Sequence, residues 1–403
     1  MKRLSKPLAT LLTGWLVAVL PVTPAVADEP MWTVNGSVGI ETRWFPDQPR
    51  WPGQDDGIGL SLFSNLEFRW RGERQRIYIE PFSRIDRLDD DRSHWDLREA
   101  YWAYEADDWE LLAGASRVFW GVTESRHLVD IVNQTDLVED PDGEQKLGQQ
   151  MIRLSFFREW GDLEFFLLPG FRERTFPGPD GRLRPPLPID TDQPVYESSA
   201  NSSHVDTAIR WSHYFGAVDV GISVFHGTGR NPKLTPADNG ASLIPFYHQV
   251  SQAGLDLQYT GDAWLWKTEA IVRKGINDTF FASVSGFEYT LYGVNDSDAD
   301  LGLLVEYLYD GRGPDEPATT LENDIFLGSR LALNDPYDTS LLAGLVVDVE
   351  SQEWFFNLEA ERRWRENWLL EGRLRIFNGK PGVNQLYAFD RDDYVQISLV
   401  RYF

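Results

Sequence analysis

Hydrophobic and polar residues alternate with a period of two along most of the chain. In residues 354–361, Trp354, Phe356, Leu358 and Ala360 alternate with Phe355, Asn357, Glu359 and Glu361. The next segment repeats the pattern, with Trp368, Leu370, Leu374 and Ile376 on one side and Glu371, Arg373 and Arg375 among their neighbours. Nearer the start, Arg76, Tyr78, Glu80, Phe82 and Arg84 alternate with Ile77, Ile79, Pro81, Ser83 and Ile85. Successive side chains of a strand point to opposite faces, so each segment reads as a strand with one apolar and one polar face.

A soluble β-sandwich also alternates, but its strands are short. About eighteen segments of roughly 10–14 residues can be placed here, against ~5–6 for an ordinary strand. They span 32–44, 58–71, 73–85, 95–105, 109–118, 148–159, 162–173, 204–214, 217–226, 247–259, 262–273, 281–293, 299–310, 322–334, 340–349, 352–363, 366–377 and 392–403. Short links follow the even-numbered segments, as at Gly72, 106–108, 160–161, 215–216 and 295–298. Long links follow most odd-numbered ones: 45–57, 86–94, 119–147, 174–203, 227–246, 311–321 and 378–391. A sandwich has no reason to segregate its links, whereas a transmembrane barrel has short periplasmic turns and long extracellular loops. Closure also pairs every backbone N–H and C=O internally, as hydrocarbon requires. The expected fold is therefore all-β, a transmembrane antiparallel β-barrel of about eighteen strands.

Composition narrows this further. The 403 residues include no cysteine, and 63 acids against 38 bases give a net charge of −25. No disulfide or thiol-linked lipid is possible, and nucleic acid, which needs a basic surface, is excluded as a partner. The apolar run Leu8–Leu20 is too short to span a bilayer as a helix. Lys2, Arg3 and Lys6 precede it, and Ala25-Val26-Ala27 supplies a small-x-small cleavage site. Residues 1–27 are read as a secretory signal peptide and 28–403 as the barrel. Losing those three bases takes the charge to −28.

Trp102, Tyr104, Trp160, Tyr214, Phe215, Tyr259, Trp264, Trp266, Tyr337, Trp364 and Trp368 fall near the short-link ends of strands. Such a girdle belongs at a lipid–water interface. The final segment alternates Val395, Ile397, Leu399 and Phe403 outward. It resembles the terminal-strand signal of Gram-negative outer-membrane barrels, except that Arg401 stands where an apolar residue is usual.

A broader resemblance rests on several motifs. They are Leu97-Arg98-Glu99-Ala100-Tyr101, Val118-Phe119-Trp120-Gly121, and Asp130, Asn133 and Asp136 in a DxxNxxD spacing. Leu168-Pro169-Gly170-Phe171, Gly254–Tyr259, Trp264–Ala270 and Gly328–Asp335 add to it. Together they resemble an uncharacterised family of proteobacterial outer-membrane β-barrels, distantly similar to alginate-export-type and other 16–18-strand porins. Gln134 replaces the more usual Pro, so a rigid turn is not implied there. The resemblance implies a Gram-negative outer-membrane location, with outer-membrane lipid and the barrel-assembly machinery as partners. For an exporting barrel it also implies an inner-membrane exporter with a periplasmic carrier.

The function expected is a porin-like channel that conducts or exports a solute through a loop-restricted, charge-lined lumen. The alternative is a partner-dependent conduit for hydrophobic or lipid-like cargo or an acidic polysaccharide. The segment 119–147 is the candidate constriction, with Trp120 as anchor and Asp130, Asn133 and Asp136 presented to solute. The polar faces carry thirteen bases and fourteen acids. The pore-lining candidates are Arg76, Glu80, Arg153, Arg172, Arg210, Asp256, Lys267, Glu269, Glu306, Arg330, Glu371, Arg373 and Arg375. They read either as a wall of cross-strand ion pairs or as an arginine ladder for an anion. The excess acid then lies in loops such as Asp55-Asp56 and Asp89-Asp90-Asp91.

No cofactor and no metal is expected. Asp296-x-Asp298-x-Asp300 begins like a calcium loop but lacks its Gly and closing Glu. The six histidines stand singly, without H-E-x-x-H, and no G-x-S-x-G elbow occurs. An enzyme is not expected, His226 near Asp219 or Ser223 being the one grouping left for an outer-membrane hydrolase.

Overall fold

Alternation in the chain becomes one closed sheet. The computed structural model describes residues 31–382 and 385–403, so the signal-peptide expectation falls on residues outside it. The first barrel strands are β1 (Met31–Trp44), β2 (Ile58–Arg71), β3 (Gln75–Asp86), β4 (Trp95–Glu105), β5 (Trp109–Ser116), β6 (Gln149–Arg158) and β7 (Gly161–Pro169). A two-residue strand, β8 (Val195–Tyr196), precedes β9 (Val205–Phe215) and β10 (Val218–Thr228). Two more short strands, β11 (Lys233–Pro236) and β12 (Leu243–Tyr247), precede β13 (Gln249–Thr260), β14 (Trp264–Lys274) and β15 (Thr279–Leu291). The barrel continues with β16 (Asp300–Asp310), β17 (Asn323–Ala332), β18 (Ser340–Asp348), β19 (Trp354–Arg365), β20 (Trp368–Asn378) and β21 (Tyr394–Tyr402).

The main sheet has 18 strands, each antiparallel to its sequence neighbour in the sheet, and β1 closes it against β21 from Ser37↔Tyr402 to Trp44↔Val395. Closure leaves no edge. The remaining strands, β8, β11 and β12, form a small separate sheet built from the long links. That sheet was not expected, because strands of two to five residues carry too few positions to show a period. The strand expected over 162–173 ends at Pro169, so Arg172 lies in the link beyond it rather than on the wall.

In β1, Trp32, Val34, Val38, Ile40 and Trp44 are exposed on the outside, while Ser37, Glu41 and Arg43 are buried inside. The other strands repeat this, and Trp160, Tyr214, Phe215, Trp264, Trp266 and Trp364 are exposed near the short-link end. Among the described residues, no helix is long and apolar enough to cross a membrane. The apolar core lies inside the barrel. Leu128, Val129, Ile131 and Val132 pack there against inward side chains including Phe225, Ile271, Val284 and Leu308.

Candidate functional site

Residues 117–148 leave β5 and return to the adjacent β6, paired at Ser116↔Gln149, yet between those points the chain crosses the lumen. Its first part docks on two wall carboxylates. Glu269 of β14 accepts from the backbone N–H groups of Val122 (2.7 Å), Thr123 (3.0 Å) and Val129 (3.1 Å), and from the Thr123 hydroxyl (2.7 Å). Glu306 of β16 accepts from the N–H groups of Glu124 (2.7 Å) and Ser125 (2.8 Å) and the Ser125 hydroxyl (2.5 Å). Both glutamates are almost fully buried. Charged acceptors make the strongest hydrogen bonds of this kind, so each acts as a socket for a loop turn.

The later part docks elsewhere on the ring. Arg43 of β1 donates to the Glu139 carbonyl (3.0 Å), and Arg84 of β3 donates to the Glu139 carboxylate through Nε (2.9 Å) and Nη2 (2.8 Å). From β20, Arg373 pairs with Asp140, and Arg375 reaches Asp140 (3.0 Å) and Asp142 (2.7 Å). The loop is thus a strap held from β14–β16 to β20, β1 and β3. Gly254, on the inner wall of β13, sits beneath it: a Cβ there would lie 3.3 Å from Val129.

Its internal bonds correct one expectation. Asp130 Oδ1 accepts from Trp120 N (2.7 Å) and Gly121 N (3.1 Å). Asn133 accepts from Val118 N (2.8 Å) and donates to the carbonyls of Ser116 (2.8 Å) and Leu147 (2.9 Å). Asp136 accepts from the Thr175 hydroxyl (2.6 Å) and is 1% exposed. These side chains do not face solute: Asp130 and Asn133 hold the loop's own backbone, because turns buried in a lumen need internal acceptors, and Asp136 ties the loop to the link after β7. Trp120, 5% exposed, packs edge-on against Phe166 at 5.6 Å, with the Arg210 guanidinium 5.2 Å from its ring.

Strap electrostatics are those of paired, desolvated groups. Burial opposes ionisation of Glu139, but the His94 hydrogen bond and the Arg84 and Arg92 charges hold its carboxyl well below the usual range. Burial likewise opposes charge on His127, but Glu144 at 3.3 Å and Glu269 at 3.5 Å outweigh it and push its pKa up to about 10.

The other candidates fall as follows. Arg76 and Arg153 share Glu110 at 2.7 and 2.8 Å, and Glu80 takes Arg117 at 2.6 Å. Arg210 grips Asp256 through two bonds of 2.7 and 2.9 Å. Arg330 and Lys267 both reach Glu124 of the strap, at 2.7 and 3.8 Å. Arg172, in the link after β7, pairs with Asp96 at 2.7 Å. Glu371 has no cation within 4 Å among the described residues, and its register partner is another acid, Glu361. The five arginines that an anion ladder would need, Arg172, Arg210, Arg330, Arg373 and Arg375, each have a carboxylate partner.

Sequence reasoning missed Glu41 and Arg43, although the alternation of β1 places both on its inner face. It also missed Glu124, His127, Glu139 and Asp140, which lie in a segment without a period. His226 does not meet Ser223 or Asp219: it faces outward and bonds Ser251 (2.9 Å), while Ser223 is buried inside. Among the described residues, no group of three or more His, Cys, Asp or Glu could hold a metal ion.

Beyond the strap the lumen differs at its two ends. Toward the long links, a gap of about 40 Å³ is bounded by Arg43, Phe45, Arg92, Val138 and Arg182. Toward the short links, a recess of about 420 Å³ is lined by Asn35, Ser37, Asn65, Glu67 and Tyr402.

No protein-family model and no curated protein matches this chain. Solved barrels do. A BenF-like porin from Pseudomonas fluorescens Pf-5 superposes with a TM-score of 0.52 at 9% identity, covering 92% of this chain and 98% of that one. Wzi of Escherichia coli, an outer-membrane protein involved in group 1 capsule assembly and described as a carbohydrate-binding β-barrel, superposes with a TM-score of 0.54 at 11% identity. That match covers 92% of this chain and 84% of Wzi. At such identities the likeness is one of fold.

Proposed function

We propose that the protein is an outer-membrane channel whose passage is restricted by residues 117–148. The observation that carries this reading is the strap itself, held on both sides of the lumen by buried wall carboxylates and arginines. Barrels of this strand number leave an aqueous interior where smaller ones are filled by their own side chains. Here one loop narrows that interior. The apolar, aromatic-girdled exterior belongs in a bilayer, and the long links then face outside, the short ones the periplasm. The five arginines that could form an anion ladder are each paired with a carboxylate, which favours small polar solutes over a dedicated anion.

The test is conductance of the purified protein in a planar bilayer. Steady single-channel currents below those of an unobstructed barrel of this size support the reading, and complete absence of current at all voltages rejects it.

A second reading has one observation in its favour. The packed long-link end and the fold likeness to Wzi fit a barrel that binds surface polysaccharide rather than passing solute. A silent wild type that conducts only after the strap is removed selects it.

A further inference from the structure

The outer wall carries two arginines that the channel reading leaves without a task. At the short-link rim, Arg365 of β19 is in register with Trp368 of β20, and Trp368 with Arg401 of β21. All three lie on the outward face, because their neighbours Leu369 and Val400 pair on the inner one. A register shift between Arg363 and Arg365 is what turns Arg365 outward beside the exposed Trp364. The Arg365 guanidinium lies 5.3 Å from the Trp364 ring and that of Arg401 5.7 Å from the Trp368 ring. Across two strand spacings the two Cα atoms stand about 10 Å apart, so both long side chains can converge over Trp368.

Neither guanidinium has a carboxylate within 4 Å among the described residues. Other outward arginines of this rim do: Arg158 meets Asp108 at 2.6 Å and Arg362 meets Asp335 at 3.0 Å. Glu366, in the adjacent turn, makes no ion pair with either cation. The row continues across the closing seam, where Val38 of β1 is in register with Arg401 and Phe403 is exposed beside it. Two unpaired cations above indole rings, at the height of an aromatic girdle, match a headgroup phosphate whose acyl chains run down the apolar wall.

We propose that Arg365, Trp368 and Arg401 bind the phosphate of an anionic phospholipid in the periplasmic leaflet, clamping lipid at the seam where the barrel closes. This rests on the membrane reading above. Two uncompensated positive charges select a headgroup with net negative charge over a zwitterionic one.

Native mass spectrometry of the full chain in non-ionic detergent tests it, with phosphatidylglycerol, phosphatidylcholine and inorganic phosphate as probes. Phosphatidylglycerol should be retained in preference to phosphatidylcholine and resist displacement by millimolar inorganic phosphate. Arg365→Gln or Arg401→Gln should each weaken retention roughly fivefold, and the double variant more than tenfold, as expected from the worth of one basic residue near an anionic surface. Arg158→Gln, at a paired position on the same rim, should change nothing. Heat-modifiable migration in gels reports folding of every variant. Equal retention of both lipids, equal retention by the folded double variant, or displacement by inorganic phosphate overturns the site while leaving the channel reading intact. Wild-type protein that is soluble without detergent overturns the membrane reading, and this site with it.

Discussion

The two ends of the lumen are built from the same alternating strands and end up opposite in character. Toward the long links, the inner wall is buried, its arginines are locked on strap carboxylates, and a gap of only about 40 Å³ remains between Arg43, Arg92 and Val138. Toward the short links, Arg69 of the inner wall is 54% exposed, and its partner Glu67, at 2.5 Å, lines a recess of about 420 Å³. The difference is not in the wall, whose charges alternate throughout. It lies in where a single non-periodic loop is anchored. One end is a plug interface with interior-like physics, in which a broken ion pair costs about 3–5 kcal/mol; the other is a solvated vestibule, in which a pair is worth about 0–1 kcal/mol.

Removing the strap breaks this comparison outright. Deleting residues 122–146 should raise single-channel conductance severalfold, since the long-link end then becomes as open as the short-link end. A conductance unchanged by the deletion would show that the restriction lies elsewhere.

Two single substitutions sharpen it. Glu269→Gln leaves three loop N–H groups and a hydroxyl competing for one amide oxygen and turns N–H donors toward them, at about 1–3 kcal/mol per orphaned donor. The strap should then be cut by protease in the intact barrel and the current should flicker open. Glu371→Gln, in the vestibule, removes one of two acids placed opposite each other and should leave stability unchanged or raise it by about 0.2–1 kcal/mol. Equal effects of the two changes on thermal unfolding would erase the distinction between the ends.

How far the sequence revealed these two ends follows from the range of the interactions. Strands were legible because the period of two is local, which is why β2 and β4 run over the segments expected from alternation alone. The strap's route was not, because Val122 meets a glutamate 147 positions away and Arg375 an aspartate 233 positions away. One signal was present and unused. Phe225, Ile271, Val284 and Leu308 are apolar at inward positions, so those strands are apolar on both faces over part of their length. In a barrel wall that requires apolar cover inside as well as lipid outside. In that light the chain itself marks β10 and β14–β16 as the wall against which something packs.

A pH titration separates the ends next. His127 gains charge-stabilising partners on docking, so its folded pKa of about 10 exceeds the ordinary imidazole value. Its contribution to docking is complete below about pH 6.5 and is lost as pH rises through about 10. Glu139, held low, has the opposite sign: its contribution is present above the ordinary glutamate range and is lost as pH falls below it. The strap should be firmest between these limits and show rising current noise on either side. His127→Gln should abolish the alkaline limb alone; an alkaline limb that survives this change assigns it to another group.

The smallest effect expected is on selectivity, and it probes what charge the open end leaves unpaired. Arg76, Arg153, Arg210, Arg330, Arg373 and Arg375 are neutralised by carboxylate partners, so they present little net field to a permeating ion. Exposed acids without close cations include Glu361 in the vestibule wall and Asp55, Asp56 and Asp90 in the long links. Exposed charges act over about a Debye length, ~8 Å at physiological ionic strength. Reversal potentials should therefore show a weak cation preference in dilute salt that fades as salt rises towards 1 M, where the screening length is only ~3 Å. Glu361→Gln should reduce that preference slightly, and removing the acids at the long links should reduce it further, because every permeating ion passes that mouth as well. Strong anion selectivity in any salt would mean that pairs such as Arg210–Asp256 and Arg330–Glu124 open in the conducting state, returning the arginines to the lumen as a ladder.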